Sequence, residues 1–539
     1  MKQRLVMLVI FLIPILTFSE NQMEIIAELE GEHQQSEFGF WSTALDFNGD
    51  GFDDLVVGSK KWNPNPPDWP DDPVAEGKYY FYFGKEEGFA DYVDLTLTNL
   101  EENFQLGMCL ENLGDMNGDG FEDLGYYEVF FEPPFGDAYH NVNILLGGTE
   151  PDTIPDYIFT FMGGGNDWGL GRPPSINWLG DVNGDGFDDA GLIMDDMEDY
   201  NQSLIIYGGS FELTYFNKFP EHNHPPFIYG AGDPNNDGFN DFIIGHKEND
   251  LIVNELYYGG IVLDTIPDIV LTDYVAHPIL NTCGGFHCGD FDGDGIDDFI
   301  GNCCSDQTQG LGVWFGGNPI PLGPQRMVEF YSWIPIRNYD YGDINGDGKS
   351  DIVAGAHYSY GNMYLYLGGQ NGTKDLHYDG WHDNFDDNFG WSISVGDFNG
   401  DGFDDIASGS PVLDGFPNGS VYVFAGNADL EEADPNVEIS EEIITNPEII
   451  FKAYPNPFNL TVKFEVDAKS YNLHKIKIYN IKGQCISKLQ IDNQKNTKIF
   501  PFWNGKDMNN NSVSSGVYFC KLIDDKKTTL ATQKITLMK

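Results

Sequence analysis

The sequence predicts an all-β protein: a seven-bladed β-propeller closed by its own N-terminal strand, followed by a small C-terminal β-sandwich. Three observations carry this prediction. An acidic stretch, first met as DFNGDGFDDL from Asp46 to Leu55, recurs with starts at Asp46, Asp115, Asp181, Asp233, Asp290, Asp343 and Asp397, in steps of 69, 66, 52, 57, 53 and 54 residues. Periods of this size indicate an array of supersecondary units. Apolar runs ending in glycine keep the same rhythm, from YFYFG at Gly84 through Gly147, Gly208, Gly259, Gly316 and Gly368 to VYVFAG at Gly426. Finally, the last hundred or so residues change sign: residues 446–539 hold 15 Lys against 7 Asp and Glu, a net +8, in a chain whose net charge is -58.

The elements follow in order. Lys2 and Arg4, the apolar run Leu5 to Leu16 and Thr17-Phe18-Ser19 read as a signal peptide over residues 1–19. No later segment is apolar enough to span a membrane. Each repeat reads as four strands: one into the acidic turn (FGFWSTAL, Phe38 to Leu45), one out of it (DLVVGS, Asp54 to Ser59), the YFYFG run, and an alternating strand such as YVDLTL, Tyr92 to Leu97. Four antiparallel strands repeated seven times is a propeller pattern. The seventh run is followed by NADLEEADPN, a poor strand, whereas MEIIAELEG (Met23 to Gly31) stands before FGFW as a fourth strand should. The N-terminal strand is therefore expected to complete the seventh blade and remove the open sheet edges. The propeller is expected over residues 22–426, an acidic linker over 427–445 and the sandwich over 446–539.

The acidic turns have the chemistry of a cation loop. Numbered from Asp46, positions 1, 3, 5 and 9 carry side-chain oxygens and position 7 offers a backbone carbonyl. The seven candidate sets are Asp46, Asn48, Asp50, Phe52 and Asp54; Asp115, Asn117, Asp119, Phe121 and Asp123; Asp181, Asn183, Asp185, Phe187 and Asp189; Asp233, Asn235, Asp237, Phe239 and Asp241; Asp290, Asp292, Asp294, Ile296 and Asp298; Asp343, Asn345, Asp347, Lys349 and Asp351; and Asp397, Asn399, Asp401, Phe403 and Asp405. Oxygen-only donors on a flexible loop suit Ca²⁺, which takes 6 to 8 of them, giving up to seven Ca²⁺ sites. Sulfur and nitrogen are absent, which disfavours zinc. An EF-hand needs Glu at position 12 and flanking helices; here Val57 and Tyr126 stand at that position and strands follow.

The repeats resemble the FG-GAP repeats of integrin α-subunit propellers. Phe38-Gly39 and Phe389-Gly390 show the dipeptide, Leu106-Gly107 and Trp168-Gly169 show it less faithfully, and Gly409-Ser410-Pro411 and Gly355-Ala356-His357 stand for the GAP element. The resemblance covers about residues 22–426 and implies calcium in blade-edge hairpins. The C-terminal part, with YPNPFN (Tyr454 to Asn459), IKIYNIKGQ, WNGKD and SSGVYFCKL, looks like the sorting domain of proteins exported by the type IX secretion system, with Leu460 where that family usually has Pro. That likeness implies type IX machinery as a partner and a secreted or outer-membrane surface location in a Gram-negative bacterium.

The charge argues against a nucleic-acid partner, because phosphate binding needs a basic footprint. Among the seven cysteines, Cys283, Cys288, Cys303 and Cys304 cluster, Cys485 and Cys520 share the last hundred residues and Cys109 stands alone. One or two disulfides are favoured over a zinc site built from the cluster and His287, since export favours oxidation. There is no G-x-S-x-G, H-E-x-x-H or P-loop. Connections opposite the acidic turns carry aromatic insertions: Trp62, Trp69, Phe131, Phe135, Tyr139, Trp168, Trp333 and Trp381 are the candidate ligand face. The first functional reading is a non-enzymatic protein binding a glycan or surface-protein ligand there. A polysaccharide-acting hydrolase or lyase and a structural surface or fibre component are the alternatives; a convergent acid pair with raised pKa in the central channel would favour the hydrolase.

Overall fold

In the computed structural model, the acidic stretches are turns between consecutive strand segments, as Asn, Asp and Gly at successive positions favour. The structure describes residues between 23 and 430 and between 449 and 537, the main interruptions being 64–75, 99–103, 132–137, 163–174, 221–226, 272–286, 305–308, 331–337, 357–360, 370–374, 380–387, 412–417, 455–457, 469–472, 480–484, 492–499, 507–511 and 525–528. The expected signal peptide lies outside the described residues. The described residues contain strands, turns and bends and no helix, so none is long and apolar enough to cross a membrane. The chain divides into two compact units, Met1–Val437 and Glu438–Lys539, a division that falls inside the acidic stretch 427–445.

The first unit opens with β1 (Ile25–Glu30) and then builds seven antiparallel sheets. Sheet one is β2 (Phe38–Leu45), β3 (Asp54–Ser59), β4 (Lys78–Tyr82) and β5 (Leu95–Leu97). Sheet two is β6 (Phe104–Gln105), β7 (Leu110–Asn112), β8 (Leu124–Phe131), β9 (Ala138–Leu145) and β10 (Tyr157–Met162); both β6 and β7 pair β8. Sheet three is β11 (Ser175–Gly180), β12 (Asp189–Asp196), β13 (Tyr200–Tyr207) and β14 (Glu212–Pro220). Sheet four is β15 (Phe227–Gly232), β16 (Asp241–Glu248), β17 (Leu251–Tyr257) and β18 (Ile269–Leu271). Sheet five, among the described residues, is β19 (Phe299–Cys304), β20 (Gln309–Trp314) and β21 (Arg326–Phe330), with His287 bridging Phe299 where its first strand would run. Sheet six is β22 (Asn338–Gly342), β23 (Asp351–Ala356), β24 (Asn362–Tyr366) and β25 (Asp375–Asp379). Sheet seven is β26 (Ile393–Gly396), β27 (Asp405–Ser410) and β28 (Ser420–Phe424), and its fourth strand is β1, which pairs β28 from Ile25↔Phe424 to Glu30↔Ser420.

Both faces of each sheet are apolar because each packs on a neighbour. Val56 and Phe81 of sheet one meet Leu124 and Tyr126 of sheet two. Sheets two and three join through Ile144 and Ile176, three and four through Leu179 and Phe242, four and five through Ile243 and Phe299. Ile300 and Ile352 join five to six, and Val353 and Ile406 join six to seven. The last cluster brings Val421 and Ala407 of sheet seven back against Leu55 and Tyr80 of sheet one. First strands lie against first strands: β2 contacts β7 and β26, β11 contacts β7 and β15, and β22 contacts β26.

The FG and GAP glycines explain each other. Gly39 has φ +84°, and a Cβ on Gly409 would stand 2.3 Å from its carbonyl oxygen; Gly390 meets Gly355 in the same way at 2.1 Å. Neighbouring sheets touch backbone to backbone here, and only glycine fits both sides.

The second unit has two sheets: β29 (Ile449–Tyr454), β30 (Val462–Ala468) and β33 (Phe502–Trp503) in one, and β31 (Leu473–Tyr479), β32 (Cys485–Gln490), β34 (Gly516–Asp524) and β35 (Thr529–Leu537) in the other. They share one core, in which Phe458, Trp503 and Tyr518 from the quoted motifs are all buried. Trp503 donates its indole N–H to the Lys506 carbonyl, and Tyr518 its hydroxyl to the Ser514 carbonyl. Among the cysteines, Cys109 is disulfide-bonded and Cys520 is a free buried thiol. Cys288 is also free and buried, its thiol held well above the usual range by burial. Nothing of the Cys303 and Cys304 side chains is described.

Candidate metal centres

Seven hairpin turns hold their carboxylates in one arrangement. At position 1 the two carboxylate oxygens accept the backbone N–H groups of positions 5 and 6, as Asp46 does from Asp50 (3.1 Å) and Gly51 (3.0 Å). The same pair of bonds recurs at Asp115, Asp181, Asp233, Asp290, Asp343 and Asp397. Position 5 accepts the N–H of position 7 in every loop, which turns that peptide and its carbonyl. The position 7 side chain packs one loop on the next. Phe52, Phe121, Phe187, Phe239 and Phe403 each lie against the position 4 glycine of the preceding loop, where a Cβ would stand 2.1–2.5 Å from the ring. In the sixth loop Lys349 replaces that ring, and its ammonium pairs with Asp347 at 2.9 Å.

Position 9 joins the two sequence rhythms. Asp54, Asp123, Asp189, Asp241, Asp298, Asp351 and Asp405 are fully buried. Each accepts, through Oδ1, the backbone N–H of the glycine that ends the third-strand run: Gly84, Gly147, Gly208, Gly259, Gly316, Gly368 and Gly426, at 2.7–3.0 Å. A Cβ on any of these glycines would stand 2.3–2.4 Å from the position 8 carbonyl of its own loop. Gly259→Ala is therefore expected to destabilise the first unit by about 1–3 kcal/mol, the range for overpacking with backbone displacement. Urea denaturation checks it, and a change below about 0.5 kcal/mol would refute the contact.

Burial, with the loop's own carboxylates adding to it, pushes Asp54, Asp241, Asp351 and Asp405 up to about 8, and Asp123, Asp189 and Asp298 up to about 7. The protein alone thus disfavours the charged form of these carboxyls, which a bound cation would favour. The clearest sign of a missing partner is a set of buried oxygens with none: Oδ2 of Asp54, Oδ2 of Asp241 and Oδ1 of Asn235. An unsatisfied buried carboxylate oxygen is costly, and a cation on the loop's inner side would compensate it. In the fifth loop, ligand oxygens of Asp290, Asp292 and Asp294 lie within 4.8 Å of one another. The donor set is oxygen throughout, so the residues fit a hard divalent cation.

Position 8 is what the sequence reading leaves without a role, although acids stand there in five of seven loops. Those acids are half-buried, and each reaches the preceding loop. Glu122 accepts the N–H of Asp46 at 2.8 Å, Asp188 that of Asp115 at 2.9 Å and Asp297 that of Asp233 at 2.9 Å. Asp404 accepts that of Asp343 at 2.6 Å, and Asp53 that of Asp397 at 2.7 Å. A further set of bonds completes the pattern. The residue after each third-strand glycine donates its N–H to the position 2 carbonyl of the preceding loop, as Gly148 to Phe47, Gly209 to Met116 and Lys85 to Phe398. All seven such bonds are present, and the first loop bonds the seventh.

A second group of acids stands on the first strands. Burial pushes Glu111 on β7 up to about 8, with Asp340 adding to the effect, and pushes Asp340 on β22 up to about 7. Both keep accessible surface. They belong to sheets two and six, and the Asp340 charge nevertheless reaches Glu111. Around them, Trp178 lies 5.4 Å from the His287 ring, and His287 bonds the Tyr341 hydroxyl at 2.7 Å and approaches Asp297 at 3.4 Å.

Of the candidate ligand face, Trp62 is 7% exposed and packed in the core between sheets seven and one. Its indole N–H bonds Glu32 at 2.7 Å, and Lys78 lies over its ring at 4.9 Å while pairing with Glu32 at 2.7 Å. This corrects the expectation: the indole fastens the N-terminal segment instead of presenting a surface. Tyr139 is half-buried in β9, and only the backbone of Phe131 in β8 is described. Trp69, Phe135, Trp168, Trp333 and Trp381 lie outside the described residues.

Family comparisons agree with these features. Residues 38–66, 342–373 and 389–424 match the FG-GAP repeat, and residues 452–537 match the secretion system C-terminal sorting domain. The chain is 28% identical over 185 residues to integrin alpha-4 of Xenopus laevis, covering 33% of this chain and 16% of that one. It is 36% identical over 144 residues to integrin alpha-6 of Gallus gallus, covering 25% and 12%, and 35% identical over 115 residues to the phosphatidylinositol-glycan-specific phospholipase D of Mus musculus, covering 18% and 14%. The matched stretches span less than a fifth of these relatives. With the FG and GAP glycines packed on one another and the sorting-domain motifs forming a separate core, the chain carries FG-GAP repeats and a secretion system C-terminal sorting domain.

Proposed function

We propose that the first unit is a closed seven-bladed β-propeller holding up to seven Ca²⁺ ions, exported by type IX machinery and working as a non-enzymatic ligand-binding protein, secreted or at the outer-membrane surface. The observation that carries this is the cycle of loop-to-loop hydrogen bonds, in which the first loop bonds the seventh. A rigid ring with metal loops on one rim leaves the connections between second and third strands, and the links between sheets, on the other. Long connections on a rigid scaffold are where recognition concentrates. A polysaccharide-acting hydrolase is the second reading, favoured by Glu111 and Asp340, whose pKa values are both raised, the Asp340 charge reaching Glu111.

The test is a screen of the full secreted chain, with millimolar calcium, against polysaccharides and cell-surface proteins. Saturable binding that leaves the ligand intact is expected. Shortening of a polysaccharide, abolished by Glu111→Gln or Asp340→Asn, would establish the second reading. Absence of both, with ordered self-assembly, would replace either with a structural role.

A further inference from the structure

We propose that the seven cation loops are not independent: position 8 carboxylates couple them into two blocks, loops six, seven, one, two and three in one, and loops four and five in the other. This rests on the calcium reading above. The position 8 acid is followed directly by the position 9 ligand of its own loop. Its carboxylate accepts the backbone N–H of position 1 in the preceding loop, whose side chain is a ligand there. One anion thus stands between two cation loops and is fixed by both.

The joints differ in a way that sets the block boundaries. Carboxylates bridge loops one and two (Glu122), two and three (Asp188), four and five (Asp297), six and seven (Asp404), and seven and one (Asp53). The joints between loops three and four and between five and six have Asn240 and Ser350 in that place. Their backbones keep the register, with Asn240 N–H bonding the Asp181 carbonyl at 3.1 Å and Ser350 N–H bonding that of Asp290 at 3.0 Å. Their side chains occupy the same ground: Asn240 lies against Gly180 and Ser350 against Gly289, as Asp188 does against Gly114 and Asp404 against Gly342. The charge is missing while the geometry is kept. The exception in length follows the same logic. Six loops have glycine just before position 1, whereas the first has Leu45, and its partner is the longer Glu122.

A cation entering one loop fixes its position 9 ligand and, through the adjoining position 8 carboxylate, the segment that holds the neighbour's position 1, an ordering that outweighs the loss of field at the neighbour. The next cation along the block therefore meets a loop already positioned. Coupling of this kind typically changes affinity about five- to 150-fold.

The experiment is calcium titration of the chelated full chain by calorimetry, with melting temperature recorded at each loading. The wild type is expected to bind with a Hill coefficient clearly above 1, about 1.5 or more for the larger block. Asp188→Asn, which makes the joint between loops two and three like that between three and four, should lower the coefficient while keeping the number of bound ions. Asn240→Asp should raise it by fusing the blocks, a change that a merely structural role would not produce. Several ions bound with a coefficient of 1 in all three proteins would overturn the coupling while leaving the calcium reading intact. No binding and no melting shift in any of them would overturn both.

Discussion

Stripping divalent cation from the protein with excess chelator is expected to lower the melting temperature of the first unit by roughly 20 °C, and calcium but not magnesium should restore it. The magnitude follows from linkage. A site at a hundredfold excess of ligand over its dissociation constant contributes about 2.7 kcal/mol, so seven such sites contribute about 19 kcal/mol. For a unit of this size the midpoint moves by about 1–2 °C per kcal/mol. Scanning calorimetry checks it, and a shift below about 2 °C at millimolar calcium would remove the metal reading. A sign reversal makes the test sharper. Asp241 is buried with one oxygen unpartnered and stands beside the Asp233 and Asp237 carboxylates. Without cation, Asp241→Asn should raise the melting temperature at about pH 9, above the raised value of this carboxyl, because it removes an uncompensated buried charge. With calcium the same variant should lower it, because a ligand charge is lost.

Much of this is legible in the sequence because it recurs. Asp at position 9 and glycine at the end of the third-strand run are each seven times repeated, and the structure shows one hydrogen bond joining them in every repeat. The pairing of β1 with β28 is legible from a missing fourth strand at the end of the repeats and a spare one at the beginning. Position 8 is harder to read. Its acids look like more of the same charge, and their partners are backbone N–H groups in the adjacent repeat, 61 to 76 residues away or across the ends of the array. Backbone donors leave no compositional trace. Trp62 misleads for a related reason. An aromatic in a Pro-rich connection has the composition of a recognition loop, and only the fold brings Glu32 and Lys78 to it. Glu111 and Asp340 carry no local signal, since 229 residues separate them and only the packing of first strands on one another brings the Asp340 charge to bear on Glu111.

That acid pair gives the second large effect, and it depends on pH. Each carboxyl titrates higher in the folded protein, at about 8 for Glu111 and about 7 for Asp340, than in the unfolded chain, at about 4. A raised folded pKa means that the stabilising contribution is fully present below the unfolded value and is lost as pH rises through the folded one. Wild-type stability should therefore decline between about pH 4 and 8. Each unit of difference corresponds to about 1.4 kcal/mol, so the two groups together weigh several kcal/mol at pH 9. The double variant Glu111→Gln, Asp340→Asn should match the wild type near pH 5 and exceed it progressively up to pH 9, measured at constant calcium. A variant less stable by the same margin at both pH values would show that the carboxyls act through hydrogen bonds alone. Those bonds are few: Asp340 accepts the N–H groups of Tyr341 and Val395 at 2.9 Å each, and Glu111 a backbone N–H of Trp178. Neutral Asn and Gln side chains can accept the same bonds. The fold thus gains nothing from the negative charge that an amide would not give it, so the charge, or the proton it holds at neutral pH, is the feature of this acid pair to test against ligands.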